Sequence, residues 1–229
     1  MKLPDRFTQA AVLPYVVWMA LLFSLPATAG TYALRTALTA FLLVASLWGA
    51  GGVFRPWSFV RTSASWFWGL LIGLVVCFLW IFPEQFAWYR ETSLLGLVGL
   101  AGPVGADPGP SPYEPAVCGW TLTWVKLFGS AFIIAPVEEL FFRSFLYRWL
   151  QRSDWTAVDP RRFDWSAFLW MVGLFALEHH TRLAAGAMAG AFYGWLAIRK
   201  GLGSAILAHM TTNLVLGLYV IYRQQWLFW

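Results

Sequence analysis

The chain has 229 residues, 59% of them hydrophobic and 12% charged, with a formal net charge of +5 at pH 7. Soluble proteins carry roughly 25% charged residues, so a water-soluble globular domain is excluded: too little polar surface is left to keep it dissolved. The positive charge needs no nucleic acid, because cytoplasmic loops beside anionic lipid account for it.

Apolar runs of about twenty residues recur along the chain. They predict an all-α fold, a polytopic transmembrane helical bundle with about seven membrane segments. The sixteen tryptophans agree, since indole rings favour membrane interfaces. The first segment runs from about Ala11 to Leu25 and is closed by Pro26; it reads as a transmembrane helix rather than a cleaved signal peptide. The second runs from about Thr31 to Ala50, ended by Gly51-Gly52, and the third from about Ser65 to Phe82, stopped by Pro83.

A long connection follows. It opens with an amphipathic piece around Phe86 to Leu100 and continues through Gly102-Pro103 and Asp107-Pro108-Gly109-Pro110-Ser111-Pro112, too rich in Pro and Gly to be helical. The fourth helix begins after Cys118 and runs to about Leu150; its ~32 residues measure ~48 Å against a ~30 Å hydrocarbon core, so it must protrude, tilt or break near Pro136. The fifth spans about Trp165 to His179, the sixth Leu183 to Ile198 and the seventh Leu202 to Tyr222. The whole chain, 1–229, reads as one integral membrane domain, with N-terminal helices and an outer loop over 1–118 and a core over 119–229. Cys77 and Cys118 form neither a metal-ligand spacing nor a disulfide framework.

Positive charge follows this layout. Lys2, Arg6, Arg55, Arg61, Arg148, Arg152, Arg161, Arg162, Arg199 and Lys200 fall on one side, against Arg35, Arg90, Arg182 and Arg223 on the other. The bias predicts a cell-membrane protein with a cytoplasmic N-terminus. Lys126 and Arg143 are the bases left inside spans.

The chemistry-bearing residues are few. Glu138, Glu139 and Arg143 stand in the apolar fourth segment, where a carboxylate is costly unless paired or facing a wet cavity. Neighbouring helix positions are ~100° apart, so the two carboxylates diverge. Arg143, four residues after Glu139, can pair with it and leave Glu138 to face a cavity. His179 ends the fifth segment beside Glu178 and His180, which read as supporting or interfacial residues. His209 and Asn213, four apart, share one face of the seventh. Counted from the cytoplasmic ends at 1.5 Å per residue, Glu138, His179, His209 and Asn213 lie roughly 18, 21, 10 and 16 Å deep. Gly186, Gly190 and Gly194 form a small-residue stripe that reads as helix packing.

Such a set suits hydrolysis of an acyl bond. Glu138, aided by His179, takes a proton from water, while His209 and Asn213 stabilise the oxyanion. No serine or cysteine stands in a nucleophile motif. A rival uses zinc held by Glu138, His179 and His209 with Glu139 as base, although the two-histidine helical motif is absent. Two further readings are a noncatalytic membrane scaffold or immunity-like protein that uses these groups for packing, and a proton-coupled transporter.

The series Glu138-Glu139-x-x-x-Arg143, Phe175-x-x-x-His179 and His209-x-x-x-Asn213 resembles the three motifs of the CAAX-protease and bacteriocin-processing (CPBP, Abi) family of glutamate-type intramembrane proteases, over about Phe132 to Val220. Phe175-Ala176-Leu177-Glu178-His179 is also similar to an exosortase-associated branch. The resemblance implies an intramembrane endopeptidase in which Glu138 and His179 activate water, His209 and Asn213 form the oxyanion site, and Glu139 and Arg143 support the geometry. It selects His179 over His180. It implies a peptide or membrane-protein substrate, with a protein-sorting system as a further partner, and no obligatory cofactor, zinc staying open.

Overall fold

The computed structural model describes residues 6–49, 63–86 and 110–229. Its main elements are seven helices, and no strand occurs among the described residues. They are α1 (Arg6–Ser24), α2 (Ala29–Gly49), α3 (Ser63–Ile81), α4 (Pro115–Trp149), α5 (Trp165–Glu178), α6 (Leu183–Lys200) and α7 (Leu202–Arg223). Each expected segment has its helix, with ends moved by a few residues. The amphipathic piece and most of the Pro/Gly-rich connection fall in residues 87–109, outside the described residues, as do Lys2, Arg55, Arg61 and Arg90.

Local chemistry sets several ends. Thr28 precedes α2 and its Oγ1 accepts the backbone N–H of Thr31 (3.2 Å), filling one of the unmet donors of a helix N-terminus. Asp164 does the same for α5 through the N–H of Ala167 (2.9 Å). Between α6 and α7 the chain turns on Gly201 at φ 100°, a conformation that costs a residue with a Cβ.

Five helices are long and apolar enough to cross a membrane: α1, α2, α3, α4 and α7. The other two expected segments also have their helices, but these are shorter or less apolar. Helix α5 has 14 residues, about 21 Å at 1.5 Å per residue. Helix α6 is diluted by Gly and Ala and ends in Arg199-Lys200. Outward-facing Phe23, Phe41, Trp48, Trp66, Trp120 and Trp165 are exposed, as the lipid-facing side of such a bundle requires.

Of the three outcomes open to the long fourth segment, a break near Pro136 is not the one found. Helix α4 is one run of 35 residues, bent at Gly119 (φ 77°, ψ 156°), and it does not break at Pro136. Instead it widens into π-helical turns at Ser130–Ile134 and Leu140–Leu146, on either side of Pro136. Proline has no N–H to give the carbonyl four residues back, here that of Phe132, and its ring crowds that carbonyl. A wider turn before it takes up the mismatch.

The bundle is assembled through small residues. The most extensive helix pair is α3 with α7. A Cβ on Gly73 would stand 2.5 Å from the carbonyl oxygen of Ala208 and 2.6 Å from Cβ of Thr211, and one on Gly69 would stand 2.9 Å from Leu207. Thr212 closes the contact with a hydrogen bond from Oγ1 to the Gly73 carbonyl (2.8 Å). Gly73→Ala is therefore expected to part α3 from α7 and cost about 1–3 kcal/mol, read as a lower melting temperature in detergent; an unchanged melting temperature would remove this contact from the account. The stripe Gly186, Gly190 and Gly194 is a packing surface as expected. It brings α6 against Ala176 and His179, Phe175, and Met171 with Phe168 of α5.

The end of α4 and the segment after it pack against α1, α6 and α7. Trp155, after α4, donates from Nε1 to Thr8 Oγ1 of α1 (3.0 Å), and Arg148 and Arg161 share a small pocket with Ile198 and Leu202. At the start of α6, Arg182 pairs with Glu84 beyond α3 (3.1 Å).

Candidate active site

Glu139 is the hub of the polar cluster. Its side chain is fully buried, and Oε1 receives both Arg143 Nη1 (3.0 Å) and His209 Nδ1 (2.9 Å). The ion pair between Glu139 and Arg143, one turn apart on α4, is the one their spacing predicts. Arg143 continues to the carbonyl of Gly190 on α6 (Nη2, 3.4 Å) and lies over the Phe175 ring, 4.1 Å from its centroid. One guanidinium thus ties α4, α5 and α6 together.

His209, on α7, meets both carboxylates. Beside Arg143 the Glu139 carboxylate acts as acceptor, so Nδ1 of His209 is the donor. The other nitrogen, Nε2, lies 3.7 Å from Glu138 Oε2, which among the described residues has no hydrogen-bond partner and is buried. The imidazole is clamped between rings: Tyr193 stacks on it at 4.8 Å, and Phe175 meets it edge-on at 5.9 Å.

His179 sits just past the last residue of α5, at φ −95° and ψ 39°. Its Nδ1 pairs with the Phe175 carbonyl (2.9 Å), and a carbonyl can only accept. Nδ1 therefore carries the hydrogen and Nε2 presents a lone pair. Phe175 and Trp80 flank the ring at 4.6 and 5.4 Å. Asn213, one turn after His209, donates from Nδ2 to the Ser130 carbonyl (3.1 Å) and has a second N–H left over. Ser130 opens the first π turn of α4.

A cavity of ≈ 210 Å³ is lined by His179, His209, Asn213, Lys126, Tyr193 and Trp229, among others. Glu138 is not one of the residues lining this cavity. The ring of His209 occupies the wall, and Glu138 adjoins that ring. No hydrogen bond or ion pair joins His179 to Glu138 among the described residues. Of the two supporting residues, Glu178 accepts from the Tyr15 hydroxyl (3.1 Å), and His180 is exposed.

The zinc reading fits poorly. Among the described residues no three His, Cys, Asp or Glu side chains are gathered as a metal ion needs, although the Nδ1 hydrogen bonds leave each Nε2 free. Glu138, His179 and His209 do not form such a set.

All these side chains except Trp80, Tyr15 and Trp229 belong to one stretch of chain. Residues 120–215 are Rce1-like. They match the family model described as Type II CAAX prenyl endopeptidase Rce1-like. The matched stretch starts five residues into α4, takes in α5 and α6, and ends past the middle of α7, leaving α1, α2 and α3 outside. No curated protein and no solved structure matches the chain. The family so described is one of endopeptidases, and the stretch similar to it lies within a chain that has, among its described residues, five helices long and apolar enough to cross a membrane.

Within the Rce1-like stretch, Tyr193 and Lys126 are site residues whose place the sequence reading did not supply. A signal for Tyr193 was present: it stands three residues after Gly190 on the same stripe that packs α6 on α5, and its hydroxyl donates to Thr212 Oγ1 (2.7 Å). Lys126 was visible only as an unassigned base in an apolar span.

Proposed function

We propose that this protein is an intramembrane endopeptidase that hydrolyses a peptide bond with a water activated by Glu138. The observation that carries the reading is a buried carboxylate oxygen of Glu138 with no hydrogen-bond partner among the described residues, 3.7 Å from a histidine that lines a cavity. A buried polar group without a partner is costly unless it serves a function.

In this reading Glu138 takes a proton from water as the oxygen adds to the carbonyl carbon of the substrate. The oxyanion accepts hydrogen bonds from the free N–H of Asn213 and from Nε2 of His209, which requires that ring to carry both hydrogens. Glu139 orients the ring through Nδ1, and Arg143 holds Glu139. The C–N bond then breaks and the proton passes from Glu138 to the leaving nitrogen. His179, with Nε2 as an acceptor, positions the water from the cavity wall. For Glu138 to reach that water, the His209 ring or the carboxylate must shift within the wall, and the wide π turns beside Glu138 supply backbone with slack. The substrate is a peptide or membrane protein, and the placement of Arg148, Arg161 and the N-terminus of α1 at one end of the bundle favours a cell-membrane orientation with that end cytoplasmic.

Membranes of cells carrying wild-type protein and Glu138→Gln, compared by proteomics, test this directly. At least one membrane-associated precursor is expected to accumulate in the variant. Identical peptide ends in both membranes would overturn the reading.

A further inference from the structure

A second, smaller pocket lies toward the C-terminal end of α4, away from Lys126 and Ser130. It is lined by Ser144, Tyr147 and Arg148 of α4, Arg161 of the segment after it, Ile198 of α6 and Leu202, the first residue of α7, among others. Its volume of ≈ 20 Å³ holds about one oxygen atom. Arg148 is 3% exposed, and its Nε and Nη1 have no hydrogen-bond partner among the described residues. Its Nη2 donates to the Thr156 carbonyl (3.2 Å), and the guanidinium lies 4.8 Å from the Trp155 ring centroid. Ser144 Oγ, one turn earlier on the same face, is buried and likewise unpartnered among the described residues. Buried donors are ordinarily satisfied. Arg143 also lines the pocket, but Glu139 answers its charge. Arg148 and Arg161 are left with Asp159. The charge of Asp159 reaches Arg148, yet no ion pair joins the two among the described residues, and Asp159 Oδ1 accepts the backbone N–H of Arg161 (2.9 Å). One carboxylate against two guanidinium groups leaves positive charge over.

We propose that this pocket binds a phosphate group through Arg148, Arg161 and Ser144. The guanidinium fork matches a pair of phosphate oxygens, the Ser144 hydroxyl adds a donor, and the positive end of α7 begins at Leu202. One oxygen enters the pocket, and the rest of the group stays at its mouth beside Arg161, which is exposed. The phosphate comes from a lipid headgroup or from free phosphate in water, and both present the same oxygens. The surroundings favour the lipid: Trp149, Phe163 and Trp165 are exposed at this end of the bundle, and such rings sit at the level of the headgroups. A phosphate held there joins the end of α4 to the segment after it and to the start of α7, so its binding stabilises the bundle. The inference does not depend on the protease reading, in which Arg148, Arg161 and Ser144 have no part.

The test is thermal unfolding of the full chain in a neutral maltoside detergent. Separate arms are titrated with phosphatidylglycerol, inorganic phosphate, phosphatidylcholine, and sodium chloride at matched ionic strength. Phosphatidylglycerol or inorganic phosphate is expected to raise the melting temperature saturably, by about 5 °C or more at a hundredfold excess over the half-saturating concentration. The arm that does so identifies the source. Phosphatidylcholine, whose choline offsets its phosphate, and chloride should give no such shift. Arg148→Gln and Arg161→Gln should each remove most of the response. The second variant changes an exposed side chain, so the test holds even if the buried Arg148→Gln fails to fold. No saturable shift in either phosphate arm, an equal shift with phosphatidylcholine or chloride, or a full shift in Arg161→Gln would defeat the proposal.

Discussion

Glu138→Gln in the purified chain is expected to slow peptide cleavage by about 10²–10⁴-fold without lowering the melting temperature. Gln keeps the shape of the side chain but cannot accept the proton of water. Stability should not suffer, because Glu138 Oε2 has no hydrogen bond to lose, and removing a buried charge that lacks a close partner is neutral or favourable. Measuring cleavage and thermal unfolding on the same preparation separates enzyme from scaffold. A noncatalytic packing role predicts the opposite pattern, in which cellular function persists and stability drops. Proton-coupled transport would show instead as gradient-dependent uptake in proteoliposomes that Glu138→Gln abolishes.

Arg143→Met is expected to be the most destabilising single change in the cluster, by about 3–5 kcal/mol. It removes the bond to Glu139, the bond to the Gly190 carbonyl and the contact with the Phe175 ring. It also leaves the Glu139 carboxylate, whose side chain is 0% exposed, with His209 as its one remaining partner. The double variant Arg143→Met/Glu139→Leu should be less destabilised than Arg143→Met alone, because no charge is stranded. Unfolding in detergent, run as a double-mutant cycle, measures the coupling. A double variant as unstable as the sum of the singles would mean the pair does not act as a unit. Both variants should also lose activity: the double variant removes the carboxylate that orients the His209 ring, and Arg143→Met removes the cation that holds that carboxylate in place.

Much of the fold was legible before any coordinates. Runs of apolar residues the length of a bilayer, punctuated by Pro26, Thr28, Pro83, Asp164 and Gly201, mark helix ends by local chemistry alone: a ring without an N–H, a capping oxygen, a missing Cβ. The pairing of Glu139 with Arg143 was equally readable, because four residues on one helix are neighbours whatever else the chain does. The stripe Gly186-Gly190-Gly194 announced a close helix contact. The equivalent pair Gly69 and Gly73 did so just as openly on α3, against α7, and went unread.

Other features depend on through-space partners and left weak marks or none. Whether Pro136 breaks α4 or widens it depends on the neighbours that hold the helix together on both sides. That His209, brought in from α7, stands 3.7 Å from Glu138 and lines the cavity is a matter of tertiary packing. His179 turns its Nδ1 to a carbonyl and its ring between Phe175 and Trp80, and only the second of those partners is distant in sequence.

The sequence by itself determined that the chain is a bundle of apolar helices, where most of them start and stop, and which handful of ionisable groups lies within them, because hydropathy, helix period and capping act over a few residues. The tertiary structure alone decided which acid holds His209, that Lys126 opens into the same cavity as the histidines, and that Tyr193 and Phe175 clamp the imidazole. These are matters of which helix faces which, settled by glycine contacts and by the packing of α3, α6 and α7 over distances that no local pattern encodes.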